Sequence, residues 1–208
     1  MAIEQGSSAM RIVIAGGGIA GLALALALKQ GLGEDFSVIL ADPALSAAPR
    51  ADNRAYAVAA GGRAMLKTLG IWEGIAHTAQ PMLEMIVSDS RTEDAVRPVF
   101  LTFDGEVEPG EPFAHMVENA ALVAALKAAC EASGVDLRSS GVRRFTVEDA
   151  AVEIAFADGG RCEAALLVAA DGARSKLREQ AGIGWVGWGY GQSGIVATIG
   201  HERPHGGL

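Results

Sequence analysis

The chain has 208 residues, half of them apolar, enough to bury a core in one or two domains and too apolar for a disordered segment. Lys and Arg number 17 against 25 Asp and Glu, a net charge of -8, and no basic cluster exceeds Arg143-Arg144, which excludes a nucleic-acid surface. Cys130 and Cys162 lie in no C-x-x-C, and His77, His115, His201 and His205 show no H-E-x-x-H spacing, so neither a disulfide nor a metal is implied.

The first element is carried by RIVIAGGGIAGLALALALKQ, residues 11–30. A secretory signal opens on a positive leader, and residues 1–10 offer only Glu4 as a charged side chain. A membrane span needs ~20 apolar residues in regular helix, and here Gly16, Gly17 and Gly18 interrupt the run. What fits is a buried strand over 12–15, a turn over 16–21 and a helix over 22–30, which puts G-x-G-x-x-G between strand and helix. Gly16 lets the chain turn sharply, Gly18 lets backbone N–H groups approach a pyrophosphate, and Gly21 lets the helix lie close to the strand. The phosphates then meet the positive end of the helix. No Gly-Lys-Ser/Thr follows, which disfavours a P-loop. A second strand over 36–41 ends at Asp42, 21 residues after Gly21, where an acidic side chain accepts hydrogen bonds from an adenosine ribose.

A polar loop over 43–53 leads to a helix over 62–69, stopped by Gly70. Strand composition at 83–88 and 98–103, with GEVEPGEP at 105–112 read as a loop, suggests that 72–114 is an excursion into a second, mainly β layer. Asn119 can cap a helix running to Ser133, with Leu122, Leu126 and Cys130 on one face. Three strands follow, over 142–147, 152–156 and 163–170, with Asp158-Gly159-Gly160 turning the hairpin after the second. The last strand is apolar until Asp171, as a buried parallel strand is, and a helix over 174–180 comes next. Trp185, Trp188 and Tyr190 either line an aromatic pocket or pack in the core of a β layer.

Three separated motifs give the chain a family likeness: GGGIAG at 16–21, DNRAYAV at 52–58 and AADGARSKLRE at 169–179. Together they resemble the FAD-dependent aromatic hydroxylases of the p-hydroxybenzoate hydroxylase type, with DNRAYAV similar to that group's D-x-R-x-x-A segment and AADGARSKLRE to its Asp-Gly motif. With HMVEN at 115–119 and YGQSGIVATI at 190–199, the closest likeness is to the ubiquinone-biosynthesis hydroxylases. The resemblance implies an α/β chain: a Rossmann-like FAD-binding domain with a parallel sheet and β-meander over 1–71 and 115–184, plus part of a mainly β substrate domain over 72–114 and 185–208.

The resemblance also implies roles. Gly16, Gly18 and Gly21 hold the FAD pyrophosphate, and Asp42, where family members often carry the longer Glu, holds the ribose. Arg54 lies near the phosphates and the flavin edge, able to pair with an anion through its planar fork. Glu118 or Asn119 matches the position beside the isoalloxazine ring. Asp171, with Gly172, supports FAD and the passing NAD(P)H, or caps the helix that follows, or does both. No catalytic side chain is implied, since the flavin carries the oxygen chemistry and the protein orients it and excludes water. The implied substrate is a small phenol, prenylated or not. The implied location is cytoplasmic or at the inner membrane surface, peripherally associated and without a transmembrane span. The family's later Gly-Asp motif has no match after Asp171, so the chain is expected to be the N-terminal portion of a longer monooxygenase, binding FAD weakly and inactive alone. The alternative is a non-catalytic cofactor-binding or interaction module of the ubiquinone pathway.

Overall fold

The computed structural model of the chain describes residues 10–47, 52, 54–91, 93–195 and 200–208. In chain order the elements begin with β1 (Met10–Ala15), α1 (Ile19–Leu32) and β2 (Phe36–Ala41). There follow β3 (Ala55–Ala59), α2 (Ala60–Thr68), α3 (Trp72–Ile75), β4 (Gln80–Met82), β5 (Glu84–Ser88), β6 (Val99–Asp104), β7 (Glu106–Glu108), β8 (Glu111–Pro112) and β9 (Ala114–Glu118). The remainder is α4 (Asn119–Ala132), β10 (Asp136–Arg138), β11 (Val142–Val147), β12 (Val152–Phe156), β13 (Arg161–Ala164), β14 (Leu166–Ala169) and α5 (Lys176–Gln180). Two compact units result, Met1–Arg50 with Val123–Ser193 and Ala51–Leu122 with Gly194–Leu208.

The first unit is built on a parallel sheet in the order β10-β2-β1-β14. The chain moves outward from β1 through β2 to β10 and then returns to the other side of β1, so connections diverge between β1 and β14. In such sheets that divergence opens a crevice at the strands' carboxyl ends. Apolar residues on both faces keep β1 and β2 strands buried: Val13, Ile14 and Leu40 are fully enclosed. Helix α1 packs on β2 and buries Leu22, Ala25 and Leu26, and the Cys130 thiol of α4 donates to the Leu22 carbonyl at 3.3 Å. Burial pushes that thiol's pKa up to about 11, so Cys130 is an inert core group. Over the other face lies the antiparallel meander β11-β12-β13, whose Ile154, Phe156 and Ala164 pack on Val13, Ile39 and Ala41.

The second unit pairs β3 and β4 on either side of β9, all antiparallel, with separate hairpins β5-β6 and β7-β8. His115 of β9 is buried, and its ring meets Trp72 of α3 edge-on with centroids 5.1 Å apart. Arg63 of α2 lies over the same Trp72 ring at 5.7 Å and pairs with Glu111 at 2.9 Å. Burial, then Arg63 and Lys67, lower the His115 pKa below its usual 6.5, Glu111 opposing them. The sign follows: the unfolded chain takes up this proton first. His115 therefore contributes stability fully present above about pH 6.5 and lost as pH falls through the lower folded value. Urea midpoints should drop between pH 7.5 and 5.5, and His115→Phe should flatten that part of the drop; an unchanged slope would sink this account.

Several elements differ from the sequence reading. The strand expected over 163–170 is two, β13 in the meander and β14 in the parallel sheet. The chain changes sheets at Ala165, whose N–H donates to the Arg11 carbonyl at 2.8 Å, and a continuous apolar run carries no mark of such a change. GEVEPGEP is a hairpin, not a loop: β7 and β8 flank Pro109-Gly110, with Gly110 at φ +80°. Helix α5 starts at Lys176, because Ser175 caps it by accepting the Arg178 N–H at 3.0 Å. Residues 185–195 and 200–208, expected to extend a β layer, form no strand. Alternating glycines at Gly187, Gly189 and Gly191 deprive that backbone of side chains to pack. Trp185, Trp188 and Tyr190 are all exposed there, so they do not fill a core.

Candidate functional site

The carboxyl ends of the parallel strands are laced by backbone hydrogen bonds. Gly16 N–H donates to the Ala41 carbonyl at 3.0 Å, Ala170 N–H to Ala15 at 2.7 Å, and Asp42 N–H to Arg138 at 3.0 Å. Gly16 (φ +120°) turns so close to β14 that a Cβ would stand 2.2 Å from the Ala170 oxygen. Gly21 faces the turn itself, its Cβ position 1.9 Å from the Gly16 oxygen. Gly18 differs from both: it is the N-cap of α1, in extended backbone, with nothing within 4 Å of where a Cβ would be. No side chain caps this helix end. Its first N–H groups therefore have no side-chain acceptor from the cap, which leaves them available to a diphosphate.

Asp42 closes one side of this turn. One carboxylate oxygen accepts the Gly17 N–H at 2.7 Å and the other accepts the Ala44 N–H at 2.7 Å. The expected ribose acceptor thus already braces the glycine turn, with one lone pair of each oxygen in use. Asp171 and Gly172 follow β14 at the same end of the sheet as Gly16. Asp171 accepts the Lys176 N–H at 3.1 Å, at the start of α5, and Gly172 turns at φ +88°. An apolar groove of about 560 Å³, lined by Phe145, Val152, Leu166, Leu177 and Ile183 among others, adjoins Gly172.

The second unit brings Arg54 and Glu118 together. Arg54 directly precedes β3 and Glu118 ends β9, with Ala55 opposite Glu118 in the register. Arg54 is exposed but not unengaged: its Nε and Nη2 donate to the two oxygens of Asp52 at 2.8 and 2.7 Å. Hydrogen bonding to Arg54, and secondarily to Asn119, holds the Asp52 carboxyl well below the usual carboxylate range. Sequence reading singled out the arginine and missed its partner. The Asp-x-Arg spacing was the available signal, since an Asp side chain commonly bonds the backbone two residues on, as Asp52 does with the Arg54 N–H at 3.1 Å. Asn53 of the same motif, and residues 196–199 of YGQSGIVATI, lie outside the described residues.

Residues 9–201 match the FAD binding domain family. The chain belongs to this FAD-binding family. It is 35% identical over 204 residues to ubiquinone hydroxylase UbiL of Rhodospirillum rubrum, covering 94% of this chain and 45% of the relative. It is 34% identical over 202 residues to 3-demethoxyubiquinol 3-hydroxylase of Escherichia coli, covering 94% of this chain and 49% of the relative. The chain therefore spans about half the length of these relatives. Among solved structures, 2-methyl-3-hydroxypyridine-5-carboxylic acid oxygenase superposes with a TM-score of 0.61 at 25% identity, over 84% of this chain and 43% of that one. The Rossmann-like FAD-binding fold and the family likeness expected from the three motifs are thus both found. Among the described residues of this FAD-binding chain, no cluster of His, Cys, Asp and Glu is arranged to hold a metal, and no helix is long and apolar enough to cross a membrane.

Proposed function

We propose that this chain is the FAD-holding part of a flavin monooxygenase that hydroxylates a phenolic ubiquinone precursor, with NAD(P)H as reductant and O₂ as oxygen source. The observation that carries this reading is the meeting of the Gly16–Gly21 turn with Asp171-Gly172 at one end of the sheet, in a chain about a third identical to two ubiquinone hydroxylases. Bound FAD would supply the redox chemistry, accepting hydride from NAD(P)H and passing one atom of O₂ to the ring, the other leaving as water. The chain's own work is to bind and orient. Gly16 and Gly21 shape the turn, and the open helix end at Gly18 takes the pyrophosphate. Asp42 offers its remaining lone pairs to the ribose, Arg54 and Glu118 serve the phosphate and isoalloxazine side, and Asp171 with Gly172 serves FAD and the arriving NAD(P)H. We assign 1–71 and 115–184 to the cofactor and 72–114 and 185–208 to the substrate, a small phenol whose prenylated forms would put the whole enzyme at the inner membrane surface, peripherally and on the cytoplasmic side.

The test is FAD titration of the purified chain, followed by flavin absorbance and an assay for hydroxylation. Weak, saturable FAD binding without turnover is the expected result; no uptake of FAD at any concentration would remove the reading. Arg54 supplies a second check. Loss of a charge-assisted pair in Arg54→Ala should weaken FAD binding roughly ten- to a hundredfold, and Arg54→Lys should recover only part, lacking the planar fork. Arg50, outside the described residues, is the comparison whose loss should change little.

A further inference from the structure

We propose that Asp52 is a positioning residue which, with Asn119, aligns the Arg54 guanidinium toward the cofactor; this rests on the reading of Arg54 as an FAD contact. Four N–H donors converge on the Asp52 carboxylate: the Arg54 backbone, Nε and Nη2, and the Asn119 side-chain amide. Asn119 closes the ring from the other side, its backbone N–H donating to the Arg54 carbonyl at 2.9 Å. Three residues from two places in the chain, the approach to β3 and the start of α4, are thereby locked into one unit around an arginine whose side chain is otherwise 63% exposed.

An exposed arginine ordinarily samples many rotamers, and a ligand that uses it bears the cost of ordering it. Side-on pairing through Nε and Nη2 removes that freedom in advance and leaves the Nη1 edge to meet an acceptor. Charge alone argues the opposite way. Asp52 offsets the positive charge of Arg54, so if Arg54 served only as a point charge, removing Asp52 would tighten the binding of an anionic cofactor. Alignment and charge therefore predict opposite signs for one substitution, which makes the proposal decidable. Asp52 stays ionised throughout the working pH range because the same hydrogen bonds lower its pKa, so the clamp is not a pH switch.

The experiment titrates FAD into the wild type, Arg54→Ala, Asp52→Ala, Asp52→Asn, Asn119→Ala and the Asp52→Ala/Arg54→Ala double variant, each first melted without FAD to establish folding. Asp52→Ala is expected to weaken FAD binding about as much as Arg54→Ala, roughly ten- to a hundredfold, and the double variant no more than Arg54→Ala alone. Asp52→Asn keeps an acceptor and should lose less. In the FAD-free chain, the Arg54 Nε–H proton should exchange slowly with solvent in the wild type and rapidly in Asp52→Ala, a change that a general loss of stability would not confine to this proton. Asp52→Ala binding FAD as well as or better than the wild type would overturn the proposal, and so would additive losses in the double variant, since Asp52 would then act apart from Arg54. Wild-type affinity in Arg54→Ala would overturn the FAD role of Arg54 itself and leave Asp52 nothing to align.

Discussion

Replacing Gly18 with aspartate is expected to weaken FAD binding by roughly a hundredfold or more while leaving the fold intact. Gly18 sits at φ -76° and ψ 179°, backbone that any residue adopts, and a Cβ there meets nothing within 4 Å. An aspartate at this N-cap would even satisfy a free N–H of α1, so the FAD-free chain should melt no lower than the wild type. Binding is another matter. The new carboxylate takes the N–H groups a diphosphate would use and sets like charge against it. Two charge-assisted hydrogen bonds lost amount to ~3–6 kcal/mol, a fall of roughly a hundredfold or more in affinity. Thermal melts of the FAD-free protein and FAD titrations separate the two effects. Unchanged FAD affinity in Gly18→Asp would mean that the pyrophosphate does not sit at this helix end.

The glycine turn was readable in the sequence because its function is backbone geometry, and backbone geometry selects residue type. Gly16 at φ +120° and Gly21 against a carbonyl oxygen admit no other residue comfortably, so the spacing records the contact. The strands over 36–41, 142–147 and 152–156 were equally plain and match their observed bounds, since a buried or half-buried strand fixes its own apolar pattern. Short strands with mixed composition escaped. β4 (QPM) carries a proline and β10 (DLR) one apolar residue, and each is a strand because a neighbour pairs with it, β9 and β2 respectively. β3 and β9 escaped for a related reason: they hold one another across the 55–59 and 114–118 segments, a separation no local window spans. The site followed the same division. Arg54 was found through a motif, whereas its engagement by Asp52 and Asn119 depends on β3 and β9 lying side by side, and Asp42 as a brace for Gly17 depends on the β1–β2 register.

Gly21→Ala should be among the costly single methyls in the chain, because the contact it makes is with backbone. Alanine is the better helix former by about 1 kcal/mol, and at an exposed helical position the exchange would stabilise. Gly31, in the same helix with open space around its Cβ position, is that position, and Gly31→Ala is expected to raise the melting temperature slightly. At Gly21 the added carbon would stand 1.9 Å from the Gly16 oxygen and 3.1 Å from its carbon, a backbone contact that no rotamer relieves. Either the turn deforms or α1 lifts away from β2, and lifting uncovers Leu22, Ala25 and Leu26, all fully buried. Overpacking a rigid contact of this kind costs about 3 kcal/mol, which less the propensity gain of about 1 kcal/mol lowers the melting temperature by roughly 4–8 °C in a domain of this size. FAD affinity should fall with it, because the same movement displaces the N–H groups at Gly18. Parallel melts of Gly21→Ala and Gly31→Ala decide the matter: if both shift upward, the helix does not rest on the turn through Gly21, and the close packing of α1 against the end of β1 is not what that glycine provides.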